Sequence, residues 1–313
     1  MQAVPVVIGI VVLNFLLLQL APGDVVDVLA GEAGYATPEY MATLRAKFGL
    51  DKPWHVQLVF YLKNILTFDL GYSFRHGMPV AELILARLAP TALLMGTAFV
   101  LSVVVGTTLG VMASRFPNSW RDSAITGFAL LCYASPLFWV GLMFIIVFSL
   151  KLDLLPISGM ETIAAFHTGF DLVIDVAHHL ILPAVTLSLF YLAVYTRMAR
   201  ASMLEVARLD YVTMARAKGL KERQVVYKHI LKNALLPVVT MAGVQMAGML
   251  GGSVIVESLY GWPWLGLLAF NAFFARDLNL LLGIFFLSSM LVLVVNLMVD
   301  MIYSLLDPRI EAR

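Results

Sequence analysis

The sequence predicts an all-α polytopic membrane protein with six transmembrane helices, and three observations carry that prediction. Of its 313 residues 61% are hydrophobic and 13% charged, with a mean hydropathy of +0.89, whereas soluble domains run about 45–50% apolar and about 25% charged. Asp, Glu, Lys and Arg are absent from 1–23, 88–114, 123–150, 176–196, 233–256 and 278–299. Each stretch reaches the roughly 20 residues needed to cross a ~30 Å hydrocarbon core. The connections between them form two sets of opposite net charge. This composition excludes a single water-soluble globule and a disordered chain. A net charge of +1 excludes a basic nucleic-acid binder, so no nucleic acid is expected as partner. Cys132, the one cysteine, excludes an internal disulfide and a cysteine-based zinc site.

The first span, 1–23, reads as a retained helix. It lacks the basic flank of a signal peptide, and Ala21-Pro22-Gly23 is a poor cleavage site. The segment 24–87 is too long for a simple connection and carries its own helix signals. Thr37-Pro38-Glu39 reads as a helix start, followed by Tyr40, Met41, Leu44, Lys47 and Phe48 on one face up to Gly49. A second amphipathic stretch follows Pro53, with Trp54, Leu58, Phe60, Tyr61, Ile65 and Leu66. The pair reads either as a small folded cap or as a surface that meets an external partner.

The later spans carry packing signals. Gly106 and Gly110 form a GxxxG in the second, and the fifth holds Gly243, Ala247 and Gly251 beside Gly248 and Gly252. Small residues at this spacing let helix backbones approach closely. Pro136 and Pro183, inside the third and fourth spans, are expected to kink them.

Orientation follows from the basic residues. The connections 115–122, 197–232 and 305–313 hold thirteen basic and six acidic residues, a net +7. The segments 24–87, 151–175 and 257–277 hold eight basic and thirteen acidic, a net −5. Both termini and the 197–232 loop are therefore expected to face the cytoplasm.

The chain lacks the motifs of common catalysis. No GxxxxGK[ST], HExxH or GxSxG occurs, so neither a nucleotide, a cofactor nor a metal is expected on this chain, and no catalytic residue is assigned. His178-His179, near His167, Asp171 and Asp175, reads as part of a solvated amphipathic outer helix. Cys132 and the sixteen methionines read as lipid-facing or core filler. Glu257 and Asp300 lie at span ends, and no charged pair sits in mid-membrane, which argues against an ion-driven carrier. Gln245 and Asn296 either line a path for a polar solute or hydrogen-bond between helices.

The loop Arg197 to Lys232 carries the most information. Ala201 to Lys218 reads as one helix leaving the membrane, closed by Lys218-Gly219. A second short helix begins near Lys221-Glu222-Arg223, and Pro237 opens the fifth span. Cations snorkelling to headgroups would explain the charge. A rigid docking element for a cytosolic partner explains both the charge and the helix–Gly–helix order.

The motifs in this loop are Asp210-Tyr211-Val212, Ala215-Arg216-Ala217-Lys218-Gly219-Leu220, His229 and Asn233-Ala234-Leu235-Leu236-Pro237. They resemble the coupling loop of ATP-binding-cassette importer permeases, specifically the B-type subunit of the dipeptide/oligopeptide/nickel group. Matches run the whole length: Ala21-Pro22-Gly23-Asp24, Phe48-Gly49-Leu50-Asp51-Lys52-Pro53, Asp69-Leu70-Gly71-Tyr72-Ser73, Glu257 to Tyr260, Pro263-Trp264-Leu265-Gly266, and Asn296 with Asp300 before Asp307-Pro308-Arg309. Two departures stand out. Ala215-Arg216-Ala217 replaces the Glu-Ala-Ala of other importers, as in the peptide branch, and the arginine-rich stretch that usually precedes the first span is not seen before Met1. The start is accordingly expected to lie upstream.

The resemblance implies a type I importer fold in the bacterial inner membrane. Its organisation would be a first helix at 1–23, an external segment at 24–87, a five-helix transmembrane domain at 88–304 and a tail at 305–313. It implies a second homologous permease subunit, two cytosolic ATPases that bind the ATP, an extracytoplasmic solute-binding protein and surrounding lipid. The expected cargo is di- or oligopeptides, with nickel or glutathione as alternatives inside the family and an ion-coupled carrier as the alternative outside it. An intramembrane enzyme would need a catalytic pair in the spans, and a receptor an output domain longer than 305–313.

Overall fold

The structure, a computed structural model, describes residues 3–20, 26, 37–48, 51–73, 75–263, 265–275 and 277–306. It is helical apart from one short hairpin and divides into two compact units, 1–89 with 264–294 and 90–263 with 295–313.

In the first unit, α1 (Ala3–Leu20) is followed by α2 (Pro38–Phe48) and α3 (Trp54–Leu66). The start of α2 is as read from sequence: the Thr37 hydroxyl accepts from the Tyr40 N–H at 3.3 Å. Gly49 lies outside the described residues. The antiparallel pair β1 (Tyr72–Ser73) and β2 (Met78–Pro79) leads directly into α4 (Val80–Arg115). The second apolar stretch thus begins within a longer helix that starts at Val80. The predicted outer connection 257–277 contains a helix of its own, α11 (Leu265–Phe274), before α12 (Leu278–Leu306). Val80 and Ile84 pack with Leu268, Ala272, Leu280 and Ile284. A Cβ on Gly283 would lie 2.6 Å from Val80 Cγ1, so α12 meets this cluster through a glycine. Asp277 caps α12 by accepting from the Leu280 N–H at 3.1 Å and also accepts from the buried Ser73 hydroxyl.

In the second unit α4 continues, and α7 (Phe170–Val206) is the central helix. The third apolar stretch is not one straight span. It forms α5 (Trp120–Ala134) and α6 (Leu137–Phe144), the latter running on as a π-helical turn over Ile145–Lys151, and the two are bent by 104°. The reason is local: Pro136 pushes Ser135 into an extended conformation, ψ 131°, so the expected kink is a full break. Pro183, by contrast, sits inside an unbroken α7. Among the described residues α4 and α7 are each long and apolar enough to cross a membrane alone, and the bent pair makes a third. The first, fifth and sixth apolar stretches fall in α1, α10 (Leu231–Leu259) and α12.

The GxxxG of α4 meets α7 as its spacing predicts. A Cβ on Gly106 would lie 2.7 Å from the Leu192 carbonyl oxygen, and one on Gly110 2.5 Å from that of Thr196. A Cβ on Gly141 of α6 would run into the Leu259 side chain, and the Gly141 carbonyl accepts from the Tyr260 hydroxyl, which also bonds Thr186. Trp262 is buried and donates its indole N–H to the Pro90 carbonyl at 2.9 Å. Cys132 packs as core filler against Ala129 and Ala193.

The histidine pair is divided as an amphipathic helix requires. His178 is exposed and bonds the Leu154 carbonyl, whereas His179 is buried and lies 3.4 Å from the Asp175 carboxylate, so this turn of α7 has one exposed and one packed face. Thr162 donates to Asp175 through its backbone N–H and its hydroxyl, and the backbone N–H is the main reason that this carboxyl is more acidic than usual. Among the described residues no three metal-binding side chains converge.

Candidate functional site

The 197–232 loop is a folded knuckle. The single helix predicted over Ala201 to Lys218 is two: α7 stops at Val206, a turn spans 207–209, and α8 occupies Asp210–Ala217. Nothing in Ala207-Arg208-Leu209 breaks a helix by propensity. The turn is stabilised by packing, because it brings Val212 and Ala215 of α8 onto Val225, Val226 and Ile230. Asp210 falls in the first turn of α8, where its charge complements the helix dipole.

The corner that follows is as the sequence predicts. Gly219 has φ +77°, and its N–H bonds the Arg216 carbonyl at 2.9 Å. A Cβ there would meet no atom within 4 Å, so glycine is required by backbone angle, not by space. After the corner α9 (Glu222–Gln224) runs through a π-helical turn, Val225–Ile230, straight into α10. The second arm and the fifth span are thus one helical run. Pro237 lies inside α10 and does not open it.

Three contacts hold the two arms together. Arg216 and Glu222, three residues on either side of Gly219, form a two-bonded ion pair with Nη2 to Oε1 at 3.1 Å. That pairing makes Glu222 more acidic than usual, with Arg115 adding to the effect. The Tyr211 hydroxyl donates to the His229 carbonyl, and Asn233 Nδ2 donates to both that hydroxyl and that carbonyl, at 2.7 and 3.0 Å. Beneath them lies the apolar cluster of Met203, Val212, Ala215, Val225, Val226 and Ile230.

The residues singled out from the motif therefore divide. Ala215 is buried in the knuckle, whereas Arg216, Ala217, Lys218, Gly219 and Leu220 are exposed along its tip. The His229 carbonyl and the Asn233 side chain brace the two arms through the Tyr211 hydroxyl. Gln245 is half-buried in α10, and the side chain of Asn296 lies outside the described residues.

Sequence reasoning missed the firmest polar joint near this loop. Asp122, buried in the first turn of α5, accepts from Arg200 of α7 in a bidentate pair, Nε to Oδ1 at 2.6 Å and Nη2 to Oδ2 at 2.7 Å. The Asn118 N–H and the Thr126 hydroxyl complete its shell. The guanidinium is the largest reason that this carboxyl is held down to about 2. No spacing rule links positions 78 residues apart. The Arg216–Glu222 pair did leave a signal, opposite charges set symmetrically about a glycine.

Comparison with known proteins adds the following. The family described as binding-protein-dependent transport system inner membrane component matches residues 106–312, and the corresponding N-terminal family matches residues 1–95. The chain is 40% identical to the oligopeptide transport system permease protein AppB of Bacillus subtilis (strain 168), over 99% of this chain and 97% of that one. It is 38% identical to the dipeptide transport system permease protein DppB of Escherichia coli (strain K12), over 98% and 96% respectively. Among solved structures, a chain of the inward-facing MetNI methionine ABC transporter superposes with a TM-score of 0.56 at 16% identity, covering 72% of this chain and 96% of that one.

Proposed function

The chain belongs to the binding-protein-dependent transport system inner membrane components, and from that premise we propose that it is a membrane permease subunit of an ATP-driven peptide importer. It is not itself an enzyme. Its likeness to an oligopeptide and a dipeptide permease over nearly full length supports a peptide cargo. It works with a separate ATPase that binds the ATP, and with a binding protein that delivers the solute. The finer organisation is one homologous permease partner and two ATPase copies around a shared path, to which Gln245 and Asn296 contribute.

The observation that carries the mechanism is the knuckle. A docking element can transmit force only if it moves as a body, and this one has an apolar core, an ion pair across its corner and a hydroxyl–amide brace. The exposed tip at 216–220 sits in a groove of the ATPase. Because α9 and the π-helical turn run unbroken into α10, displacement of the tip is passed to the fifth span. The charge asymmetry of the connections supports a cytoplasmic position for this loop and both termini, in the bacterial inner membrane.

Two experiments test this reading. Affinity purification of the tagged protein in mild detergent is expected to recover a second permease and Walker-type ATPases, and to lose the ATPases when 215–220 is disrupted. Gly219→Asp is expected to lower peptide uptake at least about tenfold while the assembled ATPases still hydrolyse ATP, because it adds a carboxylate to the exposed basic tip and strains a positive-φ corner. Normal uptake at normal expression would refute the role of the corner. Solute movement in liposomes by the chain alone, without ATP, would refute the importer mechanism.

A further inference from the structure

Beside the knuckle, the end of α4 and the start of α5 enclose a cleft of about 410 Å³ that the importer mechanism does not use. Its volume lies within the ~300–1,000 Å³ typical of small-molecule sites. The floor is apolar, made by Met112, Ala124 and Ile125, while Arg115 and Arg121 supply two positive charges at its rim and, among the described residues, no acidic one lines it. Asp122, next in sequence, is turned away and neutralised by Arg200. The Arg121 guanidinium lies over the Phe116 and Trp120 rings, 5.2 and 5.8 Å from their centroids. Phe116 and Trp120 are themselves 48% and 77% exposed.

An apolar floor, an exposed tryptophan and two arginines within seven residues form an amphipathic pattern. A soluble partner would match the charges but leave the open hydrocarbon wall unmatched. A neutral lipid would match the wall but offer nothing to Arg121, and would leave Arg115 with only Glu222, which is already paired with Arg216. We propose that this cleft binds one anionic glycerophospholipid, its phosphate between Arg115 and Arg121 and its acyl chains over Met112, Ala124 and Ile125. Trp120 then sits at headgroup level, where tryptophan is enriched. The cleft is on the knuckle's side of the bundle, since Val111, one turn before Arg115, packs on the knuckle core. The assignment to the cytoplasmic leaflet rests on the importer reading; binding itself does not, because it is measured on the chain without transport.

The test is native mass spectrometry of the full-length protein in detergent with dioleoyl phosphatidylglycerol or phosphatidylcholine. In parallel, tryptophan quenching by brominated phosphatidylglycerol is compared between the native protein and Trp120→Phe. Phosphatidylglycerol is expected to be retained at least tenfold over phosphatidylcholine, with quenching that falls in Trp120→Phe. The double variant Arg115→Gln/Arg121→Gln, altering two exposed side chains, is expected to weaken retention about thirty-fold, and the double lysine variant to recover most of it. Equal retention of both lipids, or unchanged retention in the glutamine variant, would overturn the proposal. Displacement of the lipid by glycerol 3-phosphate at equal concentration would mean a site for a free anion. Loss of the lipid on assembly with the second permease would mean a subunit interface. Either outcome would overturn the assignment to lipid.

Discussion

Two joints meet near the end of α7, and they are held by opposite means. Where α4 and α5 cross α7, fit decides: Gly106 and Gly110 admit no further carbon, and Asp122 is sealed against Arg200. At the knuckle corner angle decides: Gly219 stands in open space at φ +77°, flanked by an ion pair whose side chains remain 42% and 60% exposed. The first joint is specified by what it excludes and the second by what its backbone can adopt. On the proposed mechanism, in which the bundle rocks as a body, the former belongs within the core and the latter at the docking tip.

Adding carbon to each glycine breaks the comparison most sharply. Gly110→Val puts a branched side chain where even a Cβ lies 2.5 Å from a backbone oxygen. It is expected to destabilise the protein by about 3 kcal/mol or more, read as loss of monodisperse protein and of thermal stability in detergent. Asp122→Asn follows, at about 1–3 kcal/mol at pH 7, since it leaves Arg200 with a neutral partner. The folded carboxyl is held down to about 2 against an ordinary 3.8. Its contribution is therefore complete above about pH 4 and is lost as pH falls through about 2, so the unfolding temperatures of variant and native protein should converge over that window. Convergence above pH 5 would mean that another group is responsible.

Gly219→Ala meets no atom and should cost only about 1 kcal/mol, the strain of a left-handed residue. If it costs as much as Gly110→Val, the corner is crowded in the assembled fold and the comparison fails. Smallest is Arg216→Ala, which removes an exposed pair worth about 0–1 kcal/mol. Its effect on stability should fade in high salt, whereas the effect of Asp122→Asn should persist because that carboxylate is buried.

The sequence made much of this legible where solvent or backbone geometry leaves few choices. A bilayer tolerates no unpaired charge, so the six uncharged stretches fall in α1, α4, the bent α5–α6 pair, α7, α10 and α12. The GxxxG of α4 and the Gly219 corner were readable because only glycine serves in either place. What was illegible came from packing between distant segments. Proline announced a kink at Pro136 but not a break of 104°. Ala207-Arg208-Leu209 favours helix, yet the cluster around Val212 turns the chain there. Pro237 looked like a beginning because the run feeding α10 starts fifteen residues earlier, at Glu222. Tyr211 and Asn233 lie in the motif, but the bonds that Tyr211 makes to Asn233 and to the His229 carbonyl exist only once the arms close.

The π-helical turn at Val225–Ile230 preserves a phase. It carries one residue more than an α-helical turn of the same span would, and it lies between the knuckle corner and the start of α10. Deleting a single residue there would let an ordinary α-helical ladder form, with no hydrogen bond broken. Because the turn spreads its extra residue over the span of an α-helical one, everything from Leu231 onward would keep its phase relative to the tip, whereas the same deletion within α10 would turn the residues beyond it by about 100° and draw them in by about 1.5 Å. The turn takes up one residue without changing the phase of the fifth span against the knuckle, and cysteine cross-linking from α10 would report a deletion in the turn as unchanged facing residues and one early in α10 as an exchange of them.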